Sequence, residues 1–134
     1  MLSHIVNSRD PKLTALLFNE CINNQDIHGL SSLMTEGHTI IVREGNVVRG
    51  KNPNTEGWTQ FFAQFPKYRN TFTRIESKDN RVVIVGFAYW SEEQPYDPVI
   101  WTARIEGDRV AEWRIYDDTE QNRQELGIAC PYIP

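Results

Sequence analysis

Cysteine is almost absent from the chain: Cys21 and Cys130 are the two in 134 residues, and they lie far apart. A disulfide scaffold is thereby excluded as the organising device, and reduced thiols in a cytoplasm are the expectation. No Asn-x-Ser/Thr glycosylation site occurs either. Long apolar runs are missing too, and nothing approaches the ~20 residues that cross a bilayer. The opening stretch, Met1 to Asp10, has neither the basic start nor the sustained apolar core of a secretory signal. Dense runs of Lys or Arg do not occur, and fourteen basic residues against eighteen acidic ones leave a net charge of −4. Such a surface repels nucleic acid, so neither nucleic acid nor a membrane is an expected partner. There is no Gly-x-Gly-x-x-Gly fingerprint, no Gly-Lys-Ser/Thr phosphate loop and no Gly-x-Ser-x-Gly elbow. The three histidines show no His-x-x-x-His or His/Cys clustering, so no zinc site and no other cofactor is expected. Internal repeats and low-complexity segments are absent.

What is present is an ordinary globular composition, 40% hydrophobic, 24% charged and 11% aromatic. The length suits one domain over residues 1–134, with a core from about 10 to 128 flanked by a short leader and tail. Asp10-Pro11 starts a helix: a carboxylate caps the first N–H groups, and proline is harmless at the first helical position. Leu13, Leu16, Leu17 and Cys21 follow at helical spacing, beside Phe18. A second short helix runs from Asp26 through Ile27, Leu30, Leu33 and Met34 to Gly37. Thr39 to Val42 reads as a strand, turning at Glu44-Gly45-Asn46 into Val47-Val48. A third helix after Asn52-Pro53 presents Trp58, Phe61, Phe62 and Phe65 until Pro66. Strands follow over 68–77, 81–91, 99–106 (approached through Pro95-Tyr96-Asp97-Pro98) and 109–116. Asp118 with Gln121 fits a capping box for a last short helix, closed by Gly127.

The run Val82 to Trp90 is apolar on both alternations, so both faces of that strand should be covered. The helices supply one cover. A second copy of the sheet, giving a homodimer through its outer face, is the expected other. Helices followed by a meander of long strands define an α+β fold.

This order and its marker residues resemble the SnoaL-like branch of the nuclear transport factor 2-like superfamily. The carriers are Asn23-Asn24-Gln25-Asp26 with Leu30-Ser31-Ser32-Leu33-Met34, then Val48-Arg49-Gly50-Lys51 before the Trp58/Phe61/Phe62 helix, and last Gly107 to Asp117 with Glu125-Leu126-Gly127. The resemblance spans roughly Leu13 to Ile128. It implies a cystatin-like cone, a curved mixed β-sheet wrapped around three N-terminal helices, with an apolar pocket open at one end and usually a dimer. It also implies a range of activities, from polyketide cyclases, ketosteroid isomerases, epoxide hydrolases and dehydratases to proteins that only bind, so the site must decide. The positions aligned with the ketosteroid isomerase tyrosine and two carboxyl groups are Phe18, Val42 and Trp101, all apolar. Where limonene-epoxide hydrolases carry an aspartate between arginine and tyrosine, this chain has Ile115 within Arg114-Ile115-Tyr116. Both activities are therefore disfavoured.

Two residues are the candidates for acid–base work. Asp117 continues the row Ala111, Trp113, Ile115, which reads as core-facing, and a carboxyl group there would sit in low dielectric. His38 shares the inward alternation of Ile40 and Val42 and could face Asp117 across a pocket as its proton-transfer partner. The blander roles are a strand-end aspartate bonding backbone and a histidine satisfied by a carbonyl. Trp58, Tyr89, Trp101 and Trp113, with Phe18, Val42 and Ile115, are the candidate walls for a small apolar or aromatic molecule, and equally the filling of a core. Arg43 and Arg69 are placed to meet an anionic group at the mouth, although solvated arginine is the default. The expected function is an internal pocket for a small, mostly apolar ligand, with cofactor-independent proton transfer (cyclase, isomerase or dehydratase) on one side. Non-catalytic binding or dimerisation stands on the other.

Overall fold

The computed structural model describes residues 9–92 and 97–128. The leader, Pro95-Tyr96 and Cys130 lie outside them. The elements run α1 (Pro11–Asn23), α2 (Ile27–Ser32), β1 (Met34–Ile41), β2 (Val47–Arg49), α3 (Lys51–Gln64), β3 (Arg69–Lys78), β4 (Arg81–Tyr89), β5 (Asp97–Glu106), β6 (Arg109–Asp117) and α4 (Glu120–Glu125). One curved open sheet has the order β2-β1-β6-β5-β4-β3. Every pairing is antiparallel except β1 with β6, so the sheet is mixed and the fold α+β. Trp101, Trp113 and Phe18 fill the space between the helices and the inner face, each almost wholly buried.

Several local details differ from the sequence expectation. α1 buries Thr14, Ala15, Phe18, Asn19 and Ile22, whereas Leu13 and Leu16 remain 46% and 42% exposed. The polar members of that stripe explain the rotation. Asn23 exchanges two hydrogen bonds with the backbone of Asn70 (2.9 and 2.8 Å), and the Asn70 side-chain amide donates to Asn19 at 3.1 Å. Helix α2 ends at Ser32, and both Met34 and Gly37 belong to β1. The Leu33 carbonyl accepts from Val110 N at 2.7 Å, so parallel pairing with β6 captures the chain there before the helix can continue. Helix α3 starts at Lys51, capped by Gly50 at φ +103°, a conformation that favours glycine. Helix α4 is capped by Thr119, whose hydroxyl accepts from Asn122 N. Asp118 forms a two-point ion pair with Arg123 in place of the expected capping box.

The outer face of the sheet carries an apolar cluster of its own. After α4, Gly127 N donates to Gln124 O and Ile128 N to Arg123 O, a Schellman closure with Gly127 at φ +74°. That turn lays Leu126 and Ile128 over Val83, Val85 and Ile100. The residues after α4 thus cover one apolar part of the outer face. Beside it the outer face is polar, with Arg81, Arg104 and Arg114 on three adjacent strands around a hollow of about 280 Å³.

Candidate functional site

The fold leaves a cavity of about 570 Å³ between α3 and the β1/β6 end of the sheet. One stripe of α3, containing Pro53, Asn54, Gly57, Trp58 and Phe61, faces it, and Ile40, Val42 and Ile115 close the sheet side. This stripe is held in place by Asn54, which is 3% exposed. Its side-chain amide donates to the carbonyls of His38 (3.1 Å), Val48 (3.0 Å) and Gly50 (2.9 Å), clamping β1, β2 and the start of α3 together. Aromatic rings make the deep wall. Phe61 meets Tyr68 and Trp90 edge-on at centroid distances of 4.8 and 5.7 Å, and Tyr68 meets Trp90 at 5.0 Å.

Polar groups collect at one end. Arg43, just past β1, forms a two-point ion pair with Asp97, the first residue of β5. Its Nη1 also donates to Asp117 Oδ1 at 2.9 Å, at the end of β6. Trp90 Nε1 adds a 3.1 Å bond to Asp97. Burial works against the Arg43 charge, but the hydrogen bonds and charges of Asp97, then Asp117, outweigh it and raise its pKa further. Burial likewise pushes the Tyr68 phenol well above the usual tyrosine range, with the nearby Arg43 charge pulling the other way. Tyr68 is therefore a neutral donor at physiological pH.

Of the residues singled out in the sequence, Trp58, Val42, Ile115 and Arg43 line this cavity. Phe18, Trp101 and Trp113 do not; they are core, stacked among themselves and their neighbours, with Phe18 against Trp113 at 4.7 Å and Trp101 against Phe72 at 5.2 Å. Tyr89 alternates onto the outer face, where the Arg69 guanidinium lies 4.1 Å from its ring centre. That contact also removes Arg69 from any role at the mouth.

Asp117 and His38 are not brought together. The Asp117 side chain is 61% exposed, because β6 runs past the edge of the core and its inward direction there leads to solvent. The buried acid–base role read for it is thus corrected: it is a surface partner of Arg43. His38 is fully buried beside Phe18, and its Nδ1 lies 2.7 Å from the Val110 carbonyl. A carbonyl only accepts, so Nδ1 carries the proton; Nε2 is then a lone pair without a partner. Burial lowers the His38 pKa, against a smaller upward pull from the Val110 bond, and the ring is neutral. Cys21 is no nucleophile: burial, then the charges of Asp26 and Glu20, raise its thiol. Among the described residues no three or more His, Cys, Asp or Glu gather to hold a metal, and no helix is long and apolar enough to cross a membrane.

Sequence reasoning missed Asp97, Tyr68 and Trp90. The signal for the first two was available: Asp97 shares the inward alternation of Val99 and Trp101, and Tyr68 that of Asn70 and Phe72. The proline on either side of Tyr96-Asp97 made that stretch read as a loop.

A helix-packed, curved mixed sheet with a cavity at one end defines a cystatin-like α+β protein of the nuclear transport factor 2-like kind. Within that class the chain belongs to the SnoaL-like domain family, whose model matches residues 15–113. Solved structures agree on the fold. A SnoaL-like candidate polyketide cyclase from Shewanella putrefaciens superposes with a TM-score of 0.72 at 10% identity, covering 89% of this chain and 86% of that one. An LEH-like epoxide hydrolase from M. tuberculosis gives 0.74 at 12% identity, covering 83% and 84%. A cystatin fold protein from Novosphingobium aromaticivorans, itself uncharacterised, gives 0.71 at 20% identity, covering 80% and 97%. No curated protein matches the chain.

Proposed function

We propose that this protein binds a small, mostly apolar molecule in the cavity beneath α3, in the cytoplasm. The observation that carries the reading is the distribution of polarity. Aromatic and aliphatic side chains form the walls, and the charged lining groups (Arg43, Glu44 and Asp97) stand at one end. Such a division orients a flat apolar body with its polar end toward the mouth. Family membership and the polyketide cyclase-like neighbours support a ligand of this class.

Gly57 supplies the test. It lies on the cavity stripe of α3, and a Cβ there meets nothing within 4 Å. Gly57→Leu should keep the fold and gain ~0.5–1 kcal/mol of helix propensity while filling the cavity. A screen of small aromatic molecules by tryptophan emission should yield saturable quenching that Gly57→Leu abolishes. Binding that survives Gly57→Leu, or no binding from a broad screen, overturns the reading.

A second reading, proton transfer on the bound molecule, is favoured by the Tyr68 phenol and Asp97 carboxylate facing the same cavity. Asp97 would be the base and Tyr68 the donor to a ligand oxygen, in a cyclase, isomerase or dehydratase reaction. Asp97→Asn with retained binding and lost turnover supports catalysis, and unchanged turnover removes it. A homodimer through the outer face of the sheet is part of the proposal, and light scattering on the purified chain tests whether a dimer forms.

A further inference from the structure

The end of the cavity holds an arginine, yet its charge balance is negative. Among the described lining residues Arg43 is the single cation, and Glu44 and Asp97 are the anions. Asp117 adds a third carboxylate on the far side of the same guanidinium. Among the described residues of this rim one positive charge therefore stands against three negative ones. Glu44 is exposed and makes no ion pair among the described residues, so none of them cancels its charge.

The donors of Arg43 sharpen the point. Nη1 gives both protons away, one to Asp97 Oδ1 at 3.3 Å and one to Asp117 Oδ1 at 2.9 Å. Nη2 gives one to Asp97 Oδ2. A guanidinium has five N–H groups, so one on Nη2 and the one on Nε remain without a partner among the described residues. The rim thus offers N–H donors, with the neutral Tyr68 phenol lining the same cavity, but no spare positive charge. That combination suits an oxygen that accepts hydrogen bonds without being charged. A carboxylate would meet the same donors against a net negative field.

Resting on the cavity as the binding site, we propose that it selects ligands whose polar end is an uncharged oxygen acceptor, such as an ester, ketone or ether. It turns away the matching carboxylate, and Asp97, Asp117 and Glu44 are the residues that set this selectivity. The ligand would then be one whose acid function is masked or absent.

The experiment compares two probes of one shape, methyl 2-naphthoate and 2-naphthoate, titrated into the full chain with tryptophan emission as readout. The ester is expected to bind about tenfold more tightly than the acid at low salt, a gap of ~1.4 kcal/mol. Because that gap is electrostatic, it should narrow as salt is raised toward 1 M. The double variant Glu44→Gln/Asp117→Asn should narrow it as well, by strengthening carboxylate binding. Equal or tighter binding of the acid overturns the proposal. So does a gap that neither salt nor the double variant moves, which would make the discrimination steric. If neither probe binds, or if Gly57→Leu leaves binding intact, the site reading itself falls and this inference with it.

Discussion

The guanidinium of Arg43 makes two ion pairs that look alike on paper and should differ several-fold in energy. Side-chain exposure is 23% for Arg43 and 30% for Asp97, against 61% for Asp117. Asp117 is half in water, so its pair falls in the surface range of ~0.2–1 kcal/mol, and salt screens it further. Asp97 is more enclosed, paired at two points, and also accepts from Trp90. Removing one partner of a fully buried pair costs ~3–5 kcal/mol, and discounting for the third of Asp97 that water reaches leaves ~2 kcal/mol. Asp97→Asn should therefore cost ~2 kcal/mol, because the amide still accepts from Trp90 but leaves Arg43 half-answered. Asp117→Asn should cost under ~0.5 kcal/mol. In a domain of this size those losses correspond to about 6–8 °C and under about 2 °C in Tm. Urea titrations followed by tryptophan emission measure both, with unchanged slopes expected. If Asp117→Asn proves as costly as Asp97→Asn, the burial argument fails, and with it the demotion of Asp117 to a surface partner.

Other substitutions probe the frame that positions the cavity. A Cβ on Gly86 would stand 2.0 Å from the Thr71 carbonyl and 3.0 Å from Phe72 Cα, both backbone atoms at the β3 bulge. Gly86→Ala should cost ~3 kcal/mol in urea denaturation through overpacking and lost strand pairing. Asn54→Ala strips the three carbonyls it joins and should cost ~2 kcal/mol by the same assay. The lowered pKa of His38 means that the unfolded chain takes up its proton first as pH falls. The contribution is full above the unfolded value near 6.5 and declines below it, by at most ~1.4 kcal/mol per pH unit. Urea midpoints between pH 5 and 7.5 should show that slope, and His38→Leu should flatten it.

The sequence carried the order of elements because the apolar spacing is helical in α1 and α3, and β-branched or alternating in the strands between and after them. It carried less of the places where polar groups, not hydrophobic ones, set the orientation. The inward face of α1 was misread since Asn19 and Asn23 direct it through Asn70, contacts that no hydrophobic period records. Met34 looked helical until parallel pairing with Val110, far along the chain, claimed it for β1. The site shows the same limit more strongly. Alternation places Asp117 inward, and this holds for the row it belongs to, since Trp113 is 1% exposed and Ile115 lines the cavity. Alternation fixes a direction, however, and not a depth. Two residues beyond Ile115 the sheet has outrun its helical cover, and the same inward direction ends in solvent. Asp97 shows the converse. Its side chain is 30% exposed, enclosed by Trp90, which donates to it, and by Arg43, which reaches it from just past β1. Which of two strand-end aspartates becomes the cavity group is decided by where the helices stop covering the sheet, a property of the assembled fold that neither strand encodes alone.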